Sequence, residues 1–282
     1  MFIGSKEFNT DGNCFIAGIL NVTPDSFYDG GCYSSVGPAL DRTAVMIAEG
    51  ADIIDVGGES TRPGHDEVSQ QQELDRVIPV IEALCSRFDI TLSVDTSAAV
   101  VAKAALNAGA AMINDVRGFR HDPALAGVVA SAGAVCCLSH NSGKDKITDS
   151  MSELLRELED TAGQAIAAGI SRDKVILDPG IGFSKTHEMN LEAINRIDEI
   201  NRLGYPVMLG VSRKSVVGTA LGGLPPGERL EGSLAAAVIS VVRGCSFIRV
   251  HDVRETRRAV TMAQAILFAR TETFSGDSGF RT

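Results

Sequence analysis

The sequence contains no apolar run approaching the roughly 18 consecutive residues that a membrane-spanning helix needs. Its N-terminus lacks the basic segment followed by an apolar segment that is typical of a secretory signal. No stretch rich in proline and serine divides the chain as a linker would. These absences predict a cytoplasmic protein with no membrane partner and one domain over residues 1–282. We place its core at about 15–270, because the first dozen residues and the polar tail at 271–282 have the least predicted order.

Basic residues are scarce relative to acidic ones. The chain has 26 lysine and arginine residues against 36 aspartate and glutamate residues, and the resulting net charge of −10 argues against nucleic acid or anionic membranes as partners. The six cysteines form no CxxC pair. Cys136 and Cys137 are adjacent in a predicted strand, so their side chains point to opposite faces and cannot readily form a disulfide. We therefore expect buried free thiols.

What the chain does contain is eight short apolar runs, nearly all followed directly by polar side chains. Strands of this length, separated by helix-length stretches, predict repeated βα units, and eight units close into an α/β TIM (β/α)8 barrel of about 250 residues. Reacting groups in such barrels lie at the C-terminal ends of the strands. The side chains delivered there are Asn21, Asp55, Asp95, Asn114, Asp115, Ser139, His140, Asp178, Ser212, Arg213, Lys214, Arg249 and His251.

The stretches between the runs carry helical signals. Ser69 precedes apolar positions spaced three or four residues apart, and glycines at 50, 109 and 169 stand where a left-handed residue would end a helix. After the seventh strand the helix is predicted in two pieces, because GGLPPG interrupts it. The predicted helices are 38–49, 69–88, 97–108, 122–131, 151–168, 188–201, 228–242 and 252–269.

Two glycine-flanked loops, NVTPDSFYDGG and GGESTRPG, follow the first two strands. Glycines at both ends of a polar loop permit a moving lid, although tight turns explain them equally well. Basic residues also fall on predicted loops at this end of the barrel, so an anionic small molecule would meet a basic patch on an acidic protein. These residues are Arg62, Arg213, Lys214, Arg249 and His251.

Seven segments then occur in a specific order and spacing: GILNVTPDSFYDGG, GGESTRPG, SVDT, INDV, LDPGIGF, GVSRKS and IRVHDV. In these segments the chain resembles the dihydropteroate synthase family, over about residues 15–260. The resemblance implies a TIM-like barrel that condenses 6-hydroxymethyl-7,8-dihydropterin diphosphate with 4-aminobenzoate. The products would be diphosphate and 7,8-dihydropteroate for folate synthesis. It also implies a homodimer formed through helices away from the active face.

The implied pterin site consists of Asp95, Asn114, Asp178 and Lys214. A dihydropterin presents N–H and amino donors beside a carbonyl group, so carboxylates, an amide and a cationic donor suit it. Asp95 has an alternative role as the N-cap of the following helix. This alternative is weaker for Asp178, because the proline and glycine that follow make a poor helix start.

Departure of diphosphate from the exocyclic CH₂ of the pterin leaves a cation that the electron-rich ring delocalises. Positive groups at the leaving oxygens and carboxylates near the ring would both help. Mg²⁺ keeps several waters, so one protein ligand is enough to hold it. For Arg249 and His251, a salt link to the last helix is the alternative. The positive groups would be Arg62, Arg249, His251 and Mg²⁺ bound through Asn21, and the carboxylates would be Asp95 and Asp178.

The second substrate is a flat aniline that carries a carboxylate. Its ring needs apolar surfaces on both sides, and its carboxylate suits a hydroxyl at the start of a helix. For Ser215, a role as helix N-cap is the alternative, whereas the small residues flanking Phe183 argue against an ordinary core position. The expected contacts are Phe183, Pro63 and the stem of Lys214 for the ring, Ser215 for the carboxylate, and Thr61 and Phe27 for closure.

One segment departs from the family pattern. After the fifth strand the chain reads CLSHNSG, where the family usually has an HMQG-like sequence whose methionine packs on the pterin. Ser139 lacks that apolar bulk, and His140 is expected to be a structural, hydrogen-bonded histidine.

Two other functions stay open on the sequence alone. A pterin-dependent methyltransferase acting on a corrinoid protein would share the aspartate and asparagine pocket, but it would not need Mg²⁺ or the cations of SRKS and RVHD. A non-catalytic pterin-binding module would keep the pocket without those cations. Diphosphate release would exclude this module.

Overall fold

A computed structural model describes residues 1–22, 36–59, 68–143 and 147–269 of the chain. Within these ranges lie ten strands, of which the last eight form one parallel sheet. The strands are β1 (Phe2–Ile3), β2 (Lys6–Glu7), β3 (Phe15–Asn21), β4 (Ile53–Gly57), β5 (Thr91–Asp95), β6 (Met112–Asp115), β7 (Val135–Ser139), β8 (Val175–Asp178), β9 (Met208–Leu209) and β10 (Phe247–Val250).

The parallel sheet is the predicted barrel. Its strand order is β8-β7-β6-β5-β4-β3-β10-β9, so β3 from the start of the barrel pairs with β10 from its end. A bridge between Leu177 and Val207 joins β8 to the segment that leads into β9 and so completes the ring. All eight predicted strands are present, which confirms the fold class.

The described ranges contain ten α-helices, packed around the strands. They include every helix that the sequence predicts, with ends shifted by at most three residues. The predicted helix 188–201 is divided, because Arg196 leaves the helical backbone angles, with φ −113° and ψ 29°. The helices are α1 (Val36–Ala48), α2 (Gln70–Arg87), α3 (Ala99–Asn107), α4 (Leu125–Ala132), α5 (Met151–Ala167), α6 (His187–Asn195), α7 (Ile197–Asn201), α8 (Ser215–Ala220), α9 (Leu230–Val242) and α10 (Val253–Leu267).

The predicted helix ends are confirmed in detail. Gly50, Gly109 and Gly169 have φ values of 100°, 113° and 96°, a region that a residue without a β-carbon enters at little cost. Ser69 accepts a hydrogen bond from the backbone N–H of Gln72, and the Gln72 side chain accepts one from the backbone of Ser69. This reciprocal pair satisfies donors at the start of α2 that would otherwise have no partner.

The barrel interior changes character along its axis. At the N-terminal end it is filled by apolar side chains such as Ile53, Met112, Ile176 and Phe247. Two residues further along the same strands, on the same face, stand Asp55, Asn114, Asp178 and Arg249. The apolar layer therefore closes one end of the barrel, and the polar layer forms the floor of the other end.

The first dozen residues were expected to have little order, and this expectation is wrong. β1 and β2 form an antiparallel hairpin whose Ile3 side chain is buried. Phe8 follows the hairpin and packs edge-on against Phe15, with 4.9 Å between ring centroids, and against Phe247. The hairpin therefore covers the apolar end of the barrel.

The prediction of buried free thiols is confirmed for four cysteines and wrong for Cys85, and Cys32 lies outside the described residues. Cys136 faces the helices and Cys137 faces the barrel interior, as adjacent residues of one strand must. Cys14, Cys136, Cys137 and Cys245 are buried free thiols. Cys85 is exposed, because it lies on the solvent-facing side of α2. In the part of the chain that the structure describes, no helix is both long and apolar enough to cross a bilayer.

The turn after β8 brings two backbone segments close together. Gly180 has a φ of 65°, and a β-carbon at this position would lie 2.0 Å from the carbonyl oxygen of His140. Replacement of Gly180 by alanine should therefore lower the free energy of unfolding by at least about 3 kcal/mol, since it adds a steric clash to an unfavourable backbone angle. Urea unfolding followed by circular dichroism measures this change.

Gly163 provides the matched control. It lies inside α5 and is exposed, and a β-carbon there would meet no heavy atom within 4 Å. Gly163→Ala should raise the free energy of unfolding by about 0.5–1 kcal/mol, because alanine is the better helix former. Equal effects of the two substitutions would show that the turn at Gly180 is not tightly packed.

Candidate active site

A cavity of about 360 Å³ opens at the C-terminal ends of the barrel strands. It is bounded by strand ends and by the loops that follow β8 and β9, which is where the sequence predicts the reacting groups. Seven of the predicted site residues line it. They are Asn21, Asp95, Phe183, Lys214, Ser215, Arg249 and His251. Two others, Asn114 and Asp178, are buried in the polar layer of the barrel interior and do not line the cavity.

Four predicted site residues lie outside the described residues, and these are Phe27, Thr61, Arg62 and Pro63.

Arg249 stands at the centre of the polar floor, inside β10 and not on a loop as the sequence suggested. Its Nε donates to Oδ2 of Asp55 at 2.5 Å, and its Nη2 donates to Oδ2 of Asp95 at 2.6 Å. All three side chains are largely buried. The alternative role for Arg249, a salt link to the last helix, is therefore wrong. Arg213 makes that link instead, with Asp252 at the start of α10.

Asp55 has a second contact that orients Asn114. The Asn114 Nδ2 donates to Oδ2 of Asp55 at 3.0 Å, so the amide oxygen of Asn114 points away from Asp55. Within the described ranges, that oxygen, Oδ1 of Asp55 and Oγ of Ser93 are buried and have no hydrogen-bond partner. Buried polar atoms are normally paired, so these three oxygens have unused hydrogen-bonding capacity, although none of the three residues lines the cavity.

Asp95 faces the barrel interior and does not cap a helix. Burial raises its pKa, the Arg249 guanidinium opposes this shift, and the Asp55 carboxylate adds to it. The N-terminus of α3 is served by another carboxylate, because the backbone N–H of Ala99 donates to Oδ2 of Asp122 at 2.9 Å. The capping alternative for Asp95 is therefore wrong.

Asp178 is fixed from two sides. Its Oδ1 accepts the backbone N–H of Gly180 at 2.7 Å, and its Oδ2 accepts the hydroxyl of Ser139 at 3.0 Å. Ser139 is the residue whose lack of apolar bulk was noted in the sequence, and no sequence pattern pairs it with Asp178. At this position the structure has a hydrogen bond between two buried side chains.

Lys214 and Phe183 meet at the mouth of the cavity. The Lys214 ammonium donates to the carbonyl oxygen of Ile181 at 2.6 Å and lies 4.7 Å from the centroid of the Phe183 ring. Burial lowers the pKa of Lys214 to about 8, and the Asp178 carboxylate opposes this shift. Phe183 is only partly buried, in agreement with the expectation that it is not an ordinary core residue.

The last two predicted residues lie at the rim of the cavity. His251 Nδ1 lies 3.0 Å from the hydroxyl of Ser212, which also accepts the backbone N–H of His251. Ser215 is exposed and is the first residue of α8. The helix cap is Lys214, which makes no side-chain capping bond, so the N-cap alternative for Ser215 is wrong.

Lys185 is a site residue that the sequence analysis missed. Its ammonium lies 2.8 Å from Nδ1 of His140 and donates to the carbonyl oxygens of Gly180 and Phe183 at 3.0 Å each. His140 also contacts Glu157 at 3.0 Å, which confirms its structural role, and burial lowers its pKa to about 4. Lys185 therefore ties the loop that carries Phe183 to the end of β7. The available signal was a lysine two residues beyond the LDPGIGF segment.

Comparisons with known proteins agree with this geometry. A model of the family described as pterin binding enzyme matches residues 17–251. The dihydropteroate synthase of Clostridium beijerinckii is 49% identical over 95% of this chain and 99% of its own. A structure of the Xanthomonas albilineans dihydropteroate synthase with 4-aminobenzoic acid has a TM-score of 0.90 at 39% identity, covering 95% of this chain and 98% of that one. Another, in complex with 7,8-dihydropteroate, has a TM-score of 0.84 at 37% identity, covering 93% and 97%.

The ion pairs of Arg249 predict a large effect on stability. Arg249→Met would leave the carboxylates of Asp55 and Asp95 buried without their cation, and the free energy of unfolding should fall by about 3–5 kcal/mol. Urea unfolding measures the loss. Arg213→Met is the control, because the Arg213 side chain is 39% exposed and its pair with Asp252 should contribute about 0–1 kcal/mol. A loss in Arg249→Met no larger than in this control would contradict the assigned pairing.

Proposed function

Because this chain belongs to the pterin-binding enzymes, among the dihydropteroate synthases, we propose a division of roles within its cavity for the reaction of that family. The enzyme joins 6-hydroxymethyl-7,8-dihydropterin diphosphate to 4-aminobenzoate and releases diphosphate and 7,8-dihydropteroate. The observation that carries the assignment is one cavity at the C-terminal end of the barrel that Asp95, Arg249, Lys214 and Phe183 line together, with the Lys214 ammonium over the Phe183 ring.

The floor is assigned to the pterin. Asp178 accepts hydrogen bonds from the amino edge of the ring, and Asp95 and the oxygen of Asn114 accept from its other N–H groups. The Asn114 assignment is supported by its bond to Asp55, which turns the amide oxygen away from the protein contact. Lys214 is assigned as the cationic donor, and its distance of 4.7 Å from the Phe183 ring centroid and its electrostatic interaction with Asp178 support this role.

Arg249 and His251 are assigned to the diphosphate, together with Arg62. The Arg249 guanidinium uses Nε and Nη2 for its two carboxylates, and no acceptor for its Nη1 group is found in the described ranges. The Nη1 group can therefore donate hydrogen bonds to an oxygen of the leaving diphosphate while both ion pairs of Arg249 stay intact. His251 lies on the same strand at the rim, where it is held by Ser212.

Mg²⁺ is proposed at Asn21. The carboxamide of Asn21 lies at the cavity wall beside Gly57, where a β-carbon would lie 3.7 Å from its oxygen. A neutral oxygen ligand suits Mg²⁺, and the described residues contain no cluster of three or more histidine, cysteine or acidic residues that could hold a metal. The ion would therefore take one protein ligand and complete its shell with water and diphosphate oxygens. When bound, it would supply positive charge to the leaving group.

The mouth of the cavity is assigned to 4-aminobenzoate. Its ring would lie against Phe183 and the methylene stem of Lys214, and the exposed hydroxyl of Ser215 would meet its carboxylate. The two glycine-flanked loops would contribute Thr61, Pro63 and Phe27. Binding in this position brings the aniline nitrogen to the exocyclic CH₂ of a pterin on the floor.

The chemistry then follows from charge. The bond between CH₂ and the diphosphate oxygen breaks, and its electron pair leaves with diphosphate. The cation that remains is delocalised into the pterin ring and is stabilised by Asp95 and Asp178. The aniline nitrogen forms the new C–N bond and loses one proton. The protein contributes mainly position and electrostatics, because both reactants are held in one orientation before the bond breaks.

A homodimer and a cytoplasmic location are also proposed. Exposed apolar side chains cluster on α9 and α10, toward the helix ends that lie away from the cavity. Exposed apolar patches of this kind mark association surfaces. They include Ile239, Val242, Met262, Ile266 and Phe268.

Release of diphosphate tests the reaction. The purified chain with Mg²⁺ and both substrates should release diphosphate, and omission of either substrate should abolish release. A corrinoid-dependent methyltransferase or a non-catalytic binding module would release none.

Lys214→Ala should lose about 100-fold or more in turnover while keeping its fold, and Lys214→Arg should not restore it, because a forked guanidinium does not replace a compact ammonium. Lys103→Ala, an exposed change on α3, is the control.

Pterin binding at different pH values provides a second test. Because the pKa of Lys214 is lowered to about 8, the ammonium donor is present below that pH and is lost as the pH rises through it. The affinity for 6-hydroxymethylpterin should therefore fall above about pH 8, as measured by calorimetry. Constant affinity up to pH 9.5 would remove Lys214 as the donor to the pterin.

Sedimentation velocity tests the dimer. The chain should sediment as a dimer at micromolar concentration, and Ile266→Asp should shift it to a monomer, because a charge in an apolar contact is costly. Val100→Asp places the same charge on an exposed apolar position of α3 and should leave the dimer intact. A monomeric wild-type chain, or equal effects of the two variants, would contradict the proposed surface.

A further inference from the structure

Ser139 is buried in the polar layer at the C-terminal end of the barrel interior, and no assigned role explains it. It is the last residue of β7, and in the register of the sheet it lies directly beside Asp178, the last residue of β8. The two side chains are 1% and 6% exposed. The Ser139 hydroxyl donates to Oδ2 of Asp178 at 3.0 Å, and this bond joins two adjacent strands at the depth where the pterin is assigned.

This bond completes a two-point restraint on the Asp178 carboxylate. The other oxygen, Oδ1, accepts the backbone N–H of Gly180 at 2.7 Å. A carboxylate rotates readily about the bond to its β-carbon, and one hydrogen bond leaves that rotation only partly restricted. Bonds to both oxygens, one from its own loop and one from the neighbouring strand, fix the plane of the group. Because a carboxylate offers about four acceptor positions, about two remain for a ligand.

The neighbouring charged groups would not supply the same restraint. Lys185 and Lys214 act on Asp178 through space, but their ammonium groups donate to backbone carbonyl oxygens and, for Lys185, also contact His140. These contacts set the charge around the carboxylate and leave its orientation to Ser139 and Gly180. Of these two, only Ser139 acts through a side chain that substitution can remove.

We propose that Ser139 is a positioning residue for pterin recognition, which holds the Asp178 carboxylate in the plane that accepts the amino edge of the ring. The inference rests on the proposed function, since it assumes that Asp178 meets the pterin. The effect should appear in pterin affinity and in the KM for the pterin substrate.

The experiment compares two ligands on three variants. Calorimetry measures binding of 6-methylpterin and of the analogue that lacks only the 2-amino group. Ser139→Ala should weaken the pterin by about 10-fold or more, as expected for a lost hydrogen bond to a charged group, and should weaken the analogue by less than about 3-fold. Ser139→Thr, which keeps the hydroxyl, should stay close to the wild type. Ser139→Cys keeps the volume with a weaker donor and should behave like the alanine variant.

The two-ligand comparison separates positioning from a structural role. A general disturbance of the floor would weaken both ligands equally, and this result in Ser139→Ala and Ser139→Cys would overturn the inference, as would no loss in either variant. Steady-state kinetics should show a raised KM for the pterin substrate with the KM for 4-aminobenzoate unchanged. If the wild-type chain releases diphosphate while the variants keep its affinity, the inference alone fails. If the wild type neither binds pterin nor releases diphosphate, the proposed function fails.

Discussion

The Arg249 guanidinium holds together two buried carboxylates that would otherwise repel each other at the centre of the barrel. Asp55 and Asp95 come from neighbouring strands, and Arg249 reaches both from β10. A barrel whose floor is polar requires such internal pairing, because an unpaired charge at this depth is strongly destabilising. The same pairing orients Asn114, since Asp55 also accepts a hydrogen bond from its amide N–H₂ and leaves the amide oxygen pointing away from Asp55.

A second set of contacts organises the opposite side of the floor. Ser139 and Gly180 hold Asp178, while Lys185 binds the loop that carries Phe183 to the end of β7. The two sets share no residue. In the first, Arg249 on β10 reaches across the barrel interior to β4 and β5, and in the second a hydrogen bond joins the neighbouring strands β7 and β8. Hydrogen bonds and ion pairs between side chains at the strand ends therefore fix the shape of the site. The loop that carries Phe183 is bound to these ordered strand ends.

The sequence was sufficient for the architecture because strands, helices and helix ends depend on local patterns. Apolar runs located all eight barrel strands, and glycine positions located helix ends such as Gly50 and Gly109. The sequence did not predict which side chains contact each other. Two arginines near the ends of successive strands look alike until their distances to the surrounding carboxylates are known. Arg213 meets Asp252 and Arg249 meets Asp55. The contact of Ser139 with Asp178 and the cap that Asp122 provides to α3 were missed for the same reason.

The pairing of β3 with β10 also governs how the chain acquires its structure. These strands come from opposite ends of the barrel sequence, with Phe15 beside Phe247 in the register. While the chain is synthesised from its N-terminus, the open edge of β3 has no partner until the last strand emerges. Unpaired strand edges template association with other chains, and such long-range pairings form slowly. The period before β10 arrives is therefore when the nascent chain is most exposed to aggregation and has most need of chaperone protection.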